Sequence, residues 1–245
     1  AIVHRLIQHP ILDKINSIKF IYFVFKHCSF KFTHSIKIMG IAERKGREKE
    51  ELREQILTAA KTLFLKKGVE KTSIRNIADL IEYSPGSIYH YFKDKDEIFY
   101  ALHQGGFQQL MAKMLVINDL PNPMDRLKAM GSIYVHFGLE NPDMYDLMFI
   151  KEAPLDHVAR TKALQWNEGE ATFKFLRSTL RECMEQGYFK GHEEETLSFL
   201  IWSTVHGMVS LQIRRRCEVV LADRQERIVK DGLNEFFSIL DRQSS

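Results

Sequence analysis

The segment from Thr72 to Lys95, TSIRNIADLIEYSPGSIYHYFKDK, constrains the fold more tightly than any other part of the chain. Ile74, Ile77, Ala78 and Ile81 recur at three- and four-residue spacing, which places them on one face of a helix that begins after Thr72. Glu82 and Tyr83 break that period. Ser84 then reads as an N-cap and Pro85 as the first helical residue, where the missing N–H removes no bond. In the helix that follows, Ile88 and Phe92 point inward, and Gly86, Ser87, Tyr89 and His90 are left outside. Small residues allow close approach, hydroxyls suit phosphates, and a polar ring suits base edges. Two short helices, a tight turn and such a surface predict a helix-turn-helix whose second helix reads DNA. A serine-proline-glycine turn by itself also occurs in helical proteins that never touch DNA. The full spacing from Gly68 to Lys95 is much rarer.

Upstream, Leu52, Ile56, Ala60, Leu63 and Phe64 form the stripe of a first helix beginning near Glu48. Glu48, Glu50 and Glu51 fall in its expected first turn, and Lys66 and Lys67 in its last. That order suits the helix dipole, and Gly68 is well placed to end the helix. Arg44, Lys45, Arg47 and Lys49 precede it as a basic arm, while Lys71, Arg75, Lys93 and Lys95 flank the reading helix.

The pattern of Gly, then Thr-Ser-x-x-x-Ile-Ala, then Ser-x-Gly-x-x-Tyr-x-Tyr-Phe and a Lys is met at Gly68, Thr72, Ser73, Ile77, Ala78, Ser84, Gly86, Tyr89, Tyr91, Phe92 and Lys95. In this the chain resembles the tetracycline-repressor (TetR) family of bacterial transcription regulators. Members usually carry Ala-Gly-Val in the turn, and this chain has Ile81, Glu82 and Tyr83. A glycine there reaches a left-handed backbone at no cost, so Glu82 must either strain or take another turn type. The resemblance implies a dimeric repressor on an inverted-repeat operator, because operator symmetry mirrors protein symmetry. Tyr89 and His90, with Ser87 beside them, are the candidates for the groove. Thr72, Tyr91 and Lys95 are the candidates for phosphates, Lys95 aided by the positive end of its own helix. Arg75 suits either role, and Ser73, Ser84 and Gly86 complete the candidate surface.

From Asp94 onward the pattern is helical throughout. Asp94 with Glu97 predicts a capping box for a helix through about Met114, interrupted at Gly105-Gly106, which reads equally as a hinge or as tight packing. Leu127, Met130, Tyr134 and Phe137 give a helix stopped near Asn141-Pro142, and Met144, Leu147 and Met148 a short one ended by Pro154. A long, partly broken helical region runs to Gly187. Two further helices are expected at about Glu194–Arg215 and Asp223–Leu240. Phe137 with Asn141-Pro142, Tyr145 to Phe149, Gly187-Tyr188-Phe189, and Trp202, His206 and Gly207 resemble the regulatory domain of a TetR branch named for a Trp, a His and a Gly. The implied architecture is all-α. Residues 48–108 form a three-helix DNA-binding domain, and 109–245 a helical ligand-binding and dimerisation domain.

Large, soft side chains crowd the middle helices: Phe137, Met144, Met148, Phe149, Trp166, Phe173 and Trp202, with Tyr134, His136 and His206 as the polar groups nearby. Apolar walls with a few polar anchors describe a small-molecule pocket, and equally a packed core. The resemblance favours a pocket for a hydrophobic or aromatic, largely uncharged effector. Leu197, Phe199, Leu200, Ile201, Val205, Val209 and Leu211, then Ile228, Leu233, Phe236, Phe237 and Leu240, exceed what two helices need for their own core. A homodimer would bury the surplus as a four-helix interface; burial within one copy is the alternative.

A net charge of +3 would not by itself point to nucleic acid, and no long apolar span is evident in the sequence. No Gly-rich phosphate loop, Gly-x-Ser-x-Gly elbow or His-Glu-x-x-His pair is present, so neither catalysis, cofactor nor metal is expected. Glu193, Glu194 and Glu195 beside His192 read as a helix start. Cys28, Cys183 and Cys217 are odd in number and widely spaced, which suits a reducing cytoplasm; no membrane partner is expected. Residues 1–38, with FIYFVF at their centre, contain no methionine. They read as a non-native or over-extended segment before Met39, with a membrane-surface anchor as the rival. The alternative function is a helical small-molecule binding protein that keeps the helix-turn-helix shape without reading DNA.

Overall fold

The computed structural model describes residues 41–150, 167–220, 223–224 and 227–242. Among them are ten helices. The expectations for residues 1–38, and for Trp166, lie outside the described residues. The chain divides into two compact units. One takes the described residues through Gly106 together with residues 146–150, and the other takes Phe107–Tyr145 and the described residues from Asn167 onward.

The first unit, the head, is built from α1 (Ile41–Lys67), α2 (Ile74–Leu80), α3 (Pro85–Tyr89) and the first half of α4 (Lys95–Leu115). Ile56, Ala60, Phe64, Ile77, Ala78, Ile88, Phe92, Ile98, Phe99 and Leu147 share one core, with Phe64 edge-on to Phe99 at 5.4 Å. Full burial of Ile88 alone is worth about 1.5–3 kcal/mol. The inward stripe of α1 and inward Ile88 are thus as the periodicity predicts, but α3 ends at Tyr89 and Phe92 enters the core from the segment after it.

Three local expectations for this part of the chain change. Helix α1 already includes the basic arm: Arg44 pairs with Glu48 at 3.2 Å and Arg47 with Glu51 at 3.4 Å, one turn on. Such pairs favour helix at positions that carry no apolar signal. Glu48, Glu50 and Glu51 therefore sit beyond the first turn. The capping box at Asp94 is half formed: Asp94 Oδ1 accepts the Glu97 N–H at 2.8 Å, but Glu97 reaches back to the Lys93 N–H. Finally, α4 runs without a break through Gly105 and Gly106, and a Cβ at Gly105 would meet open space. Tight packing is not the reason for Gly105.

The second unit, the regulatory body, holds α5 (Pro123–Glu140), the start of α6 (Pro142–Phe149), α7 (Asn167–Glu185), α8 (Glu194–Ile213), α9 (Arg216–Val220) and α10 (Ile228–Asp241). Asn122 caps α5, with Pro123 in its first turn. α5 packs on α7, α8 and α10. At Gly138 the approach of α8 is so close that a Cβ would lie 2.5 Å from Val209 Cγ1. Glu193 caps α8 by accepting the Glu195 and Thr196 N–H groups at 2.9 and 2.6 Å, and the Thr196 hydroxyl together with these N–H groups holds its carboxyl down at about 2. Glu194 takes Arg177 and Arg181 at 2.9 and 2.7 Å. The acidic run is a helix start, as its sequence suggests.

The C-terminal boundaries shift. α8 ends at Ile213, Arg215 turns the chain with φ 57°, α9 follows, and α10 begins only at Ile228. Although no long apolar span stands out in the sequence, α8 is long and apolar enough to cross a membrane, by length and composition only. Its surplus is an exposed apolar face carrying Phe199, Leu200 and Leu211.

Candidate nucleic-acid interface and regulatory cluster

In the head, Ser84 N-caps α3 and accepts the Ser87 N–H at 3.2 Å, and Pro85 fills the first turn. Burying Ile88 fixes the rotation of this helix and leaves Gly86, Tyr89 and the C-cap His90 exposed, Tyr89 being 57% exposed, while Phe92 is buried just beyond its end. A Cβ at Gly86 would meet only Ser84 Oγ, at 3.5 Å. The Ser84 and Ser87 hydroxyls bond to each other at 3.0 Å. Glu82 takes the strained option, a left-handed backbone with φ 60°, in the turn between α2 and α3. The turn therefore keeps the conformation that a glycine would supply.

Ser73 and Asn76 form a reciprocal capping box at the start of α2, and Lys67 Nζ donates to Asn76 Oδ1 at 2.8 Å. Arg75 lies exposed on α2, and Tyr91 is half-buried against the core. Two expected phosphate ligands are turned inward. Thr72 is 3% exposed and donates its hydroxyl to Gly68 O at 2.8 Å. Lys95 Nζ donates to Val69 O at 3.1 Å and to Glu70 O at 3.5 Å, with Glu70 Oε2 at 3.7 Å.

The regulatory body brings Tyr134, Trp202 and His206 together, with Phe173 against Trp202 at a ring distance of 6.0 Å. Tyr145, which was not among the expected ligands, is the hub. Its hydroxyl lies 2.6 Å from His206 Nδ1 and 3.2 Å from that of Tyr134, while Trp202 Nε1 donates to Tyr134 Oη at 3.2 Å. His206 Nδ1 also lies 3.1 Å from the Tyr134 hydroxyl, and the Tyr145 hydroxyl donates to His206 O at 3.3 Å. Burial raises both phenols above their ordinary range and lowers His206, so all three stay neutral near pH 7. A signal for Tyr145 did exist: it is a lone hydroxyl in the otherwise apolar run from Met144 to Met148, apart from Asp146.

The remaining candidates are scattered. Phe137 and Met144 are buried in the same unit, and His136 faces Glu140 at 3.0 Å on the side of α5. Met148 and Phe149 fall in the other unit, where the carbonyl of Met148 lies 3.1 Å from Nε2 of the buried His103.

Residues 56–102 match the family described as bacterial regulatory proteins, tetR family, and residues 127–235 match the tetracyclin repressor-like C-terminal domain. The chain belongs to the TetR family. It is a DNA-binding transcriptional regulator, and these matches do not favour a binding protein that leaves DNA unread. Among its TetR relatives is the transcriptional repressor KstR2 of Mycobacterium tuberculosis, 29% identical over 142 residues, which span 56% of this chain and 69% of that one. The repressor AcnR of Corynebacterium glutamicum is 29% identical over 165 residues, 64% of this chain and 80% of its own. The fold also matches the solved fatty acid degradation regulator FadR from Bacillus halodurans, with a TM-score of 0.61 at 17% identity over 74% of this chain and 92% of that one.

Proposed function

We propose that this TetR-family protein is a ligand-responsive repressor that binds an inverted-repeat operator as a homodimer and works by binding alone, in the cytoplasm. The observation that carries the DNA half is the surface of α3: a buried Ile88 beneath exposed Tyr89 and His90, with Gly86 open for close approach. Tyr89 and His90 meet the groove, with Arg75, Ser73, Ser84, Ser87 and Tyr91 around them. Both relatives described above are named as repressors, which supports repression over activation. Residues 48–108 then serve as the DNA-binding domain and 109–245 as the regulatory one.

The dimer reading rests on apolar residues that one copy leaves exposed: Phe199, Leu200 and Leu211 on α8 and Ile239 on α10. An isologous pairing of these helices buries them. The effector reading rests on the Tyr134–Tyr145–Trp202–His206 cluster, a neutral polar anchor with Phe173 beside it, suited to an apolar or aromatic molecule with few polar groups.

Selection from a pool of randomised duplexes tests the whole reading. The selected duplexes should carry inverted repeats and bind two chains each. Tyr89→Ala should weaken the selected duplex by about 1–3 kcal/mol while leaving thermal stability within about 0.5 kcal/mol. Selection of no common sequence would sink the reading.

A further inference from the structure

We infer that the pairing of two chains and the order of the regulatory cluster form one linked equilibrium, joined at Trp202: a second copy of this chain, seated on Phe199 and Leu211 of α8, holds the indole that completes the cluster. This rests on the dimer reading.

Trp202 makes contacts in two directions. Within the body, its Nε1 donates to Tyr134 Oη at 3.2 Å, and its ring lies 6.0 Å from that of Phe173 and 5.9 Å from that of His206. Toward the surface, it meets Phe199 edge-on at 6.4 Å. Phe199 is 59% exposed, so in a single chain one partner of that aromatic pair stands mostly in water. An aromatic pair contributes beyond its buried area only while both rings keep their geometry. A ring left in water keeps its rotamer freedom, and it gives the indole beside it little support.

The surface around Phe199 suits a second helix of the same kind. Phe199, Ser203, Gly207 and Leu211 follow one ridge of α8 at four-residue spacing. A Cβ at Gly207 would meet nothing within 4 Å, and the two small residues leave a dip between exposed Phe199 and exposed Leu211. A second α8 crossing at that dip brings the two backbones close and covers both large side chains, in the self-complementary way of an isologous pair. Gly207 directly follows His206, whose Nδ1 and carbonyl oxygen lie 2.6 and 3.3 Å from the Tyr145 hydroxyl. Both residues that α8 gives to the cluster, Trp202 and His206, therefore adjoin the pairing ridge. Linkage is reciprocal, so a molecule that binds the ordered cluster binds the dimer more tightly than the single chain, and strengthens the pairing by the same factor.

The test uses the full chain, with the Trp202 indole signal assigned by Trp166→Phe. Sedimentation gives the dimer dissociation constant, and hydrogen exchange of the Trp202 indole N–H reports on the cluster. Leu211→Glu charges the pairing ridge roughly 13 Å along α8 from Trp202. It should give a monomer whose indole N–H exchanges about tenfold faster than in the wild-type dimer. Conversely, Tyr134→Phe removes the acceptor of the indole inside the body and should raise the dimer dissociation constant about tenfold. Thr179→Val removes a hydroxyl that is equally buried, on α7 and outside the cluster, and should leave that constant within about twofold. A Leu211→Glu monomer with unchanged indole exchange overturns the inference and leaves the dimer standing. Tyr134→Phe that weakens pairing no more than Thr179→Val overturns it too, as does a Leu211→Glu chain that stays dimeric. A wild-type chain that sediments as a monomer at micromolar concentration sinks the dimer reading itself, and is seen before any variant is made.

Discussion

The head and the regulatory body place their polar chemistry on opposite sides of their surfaces. The head buries an apolar core and turns Tyr89, His90 and Arg75 outward, while its inward polar groups, Thr72 and Lys95, are used on backbone carbonyls. The body draws Tyr134, Tyr145, Trp202 and His206 into one hydrogen-bonded cluster and leaves Phe199, Leu200 and Leu211 at its surface. The contrast follows the partners proposed for each. DNA is a hydrated polyanion that must be met by exposed polar groups, whereas a second copy or an apolar effector is bound by removing carbon from water.

The comparison breaks most readily at Gly138. A methyl group there would lie 2.5 Å from Val209 Cγ1 and 2.9 Å from Tyr145 Cδ2, so Gly138→Ala should destabilise the protein by about 3 kcal/mol in denaturant unfolding. Because Tyr145 must move, the polar cluster should loosen with it. A neutral result would show that the cluster is not packed as described.

Next in size is Tyr145→Phe. It removes the hydroxyl that bonds His206 Nδ1 and Tyr134, leaving the ring nitrogen with the Tyr134 hydroxyl at 3.1 Å. The expected loss is about 1–3 kcal/mol, with a change in Trp202 fluorescence because the indole bonds to Tyr134. Operator affinity without effector should hardly change. An equal loss of affinity would mean that the cluster serves the DNA-bound form directly.

On the head side, Glu82→Gly should stabilise the protein by about 1 kcal/mol, since it relieves a left-handed backbone at φ 60°. If the melting temperature falls instead, the Glu82 side chain contributes more than its backbone strain costs.

The smallest effect is a pH drift from His206. Burial lowers its folded pKa below its ordinary value of 6.5, so the unfolded chain takes up the proton first as pH falls. Stability is therefore full above 6.5 and declines below it, until the folded imidazole also titrates. His206→Gln should flatten that slope below pH 6.5, which urea titrations at several pH values would show. A wild-type protein with no slope there would place His206 in contact with solvent.

The sequence made the head legible because its local signals agree. The stripe of α1, the Ser84-Pro85 start of α3 and the inward pair Ile88 and Phe92 each depend on residues within one or two turns. It misjudged the start of α1, since a helix carried on by Arg44–Glu48 and Arg47–Glu51 pairs shows no apolar period. In the body, the existence of α5 and α8 was equally clear, but Tyr145 was passed over as one more large residue in a run of them.

What the amino-acid sequence determined by itself is the helix-turn-helix, the all-helical body and the outward face of α3, because periodicity and caps act over short stretches of chain. Only the tertiary structure decided where long side chains go. Lys95 reads as a phosphate ligand from its place at a helix start, and it finds Val69 and Glu70 instead. Tyr145 meets His206 across 61 residues. A lysine or a tyrosine extends 6 Å or so beyond its backbone and bonds to whatever oxygen or nitrogen the packing of distant helices brings within reach, roughly 3 Å away, and no spacing along the chain encodes that neighbour.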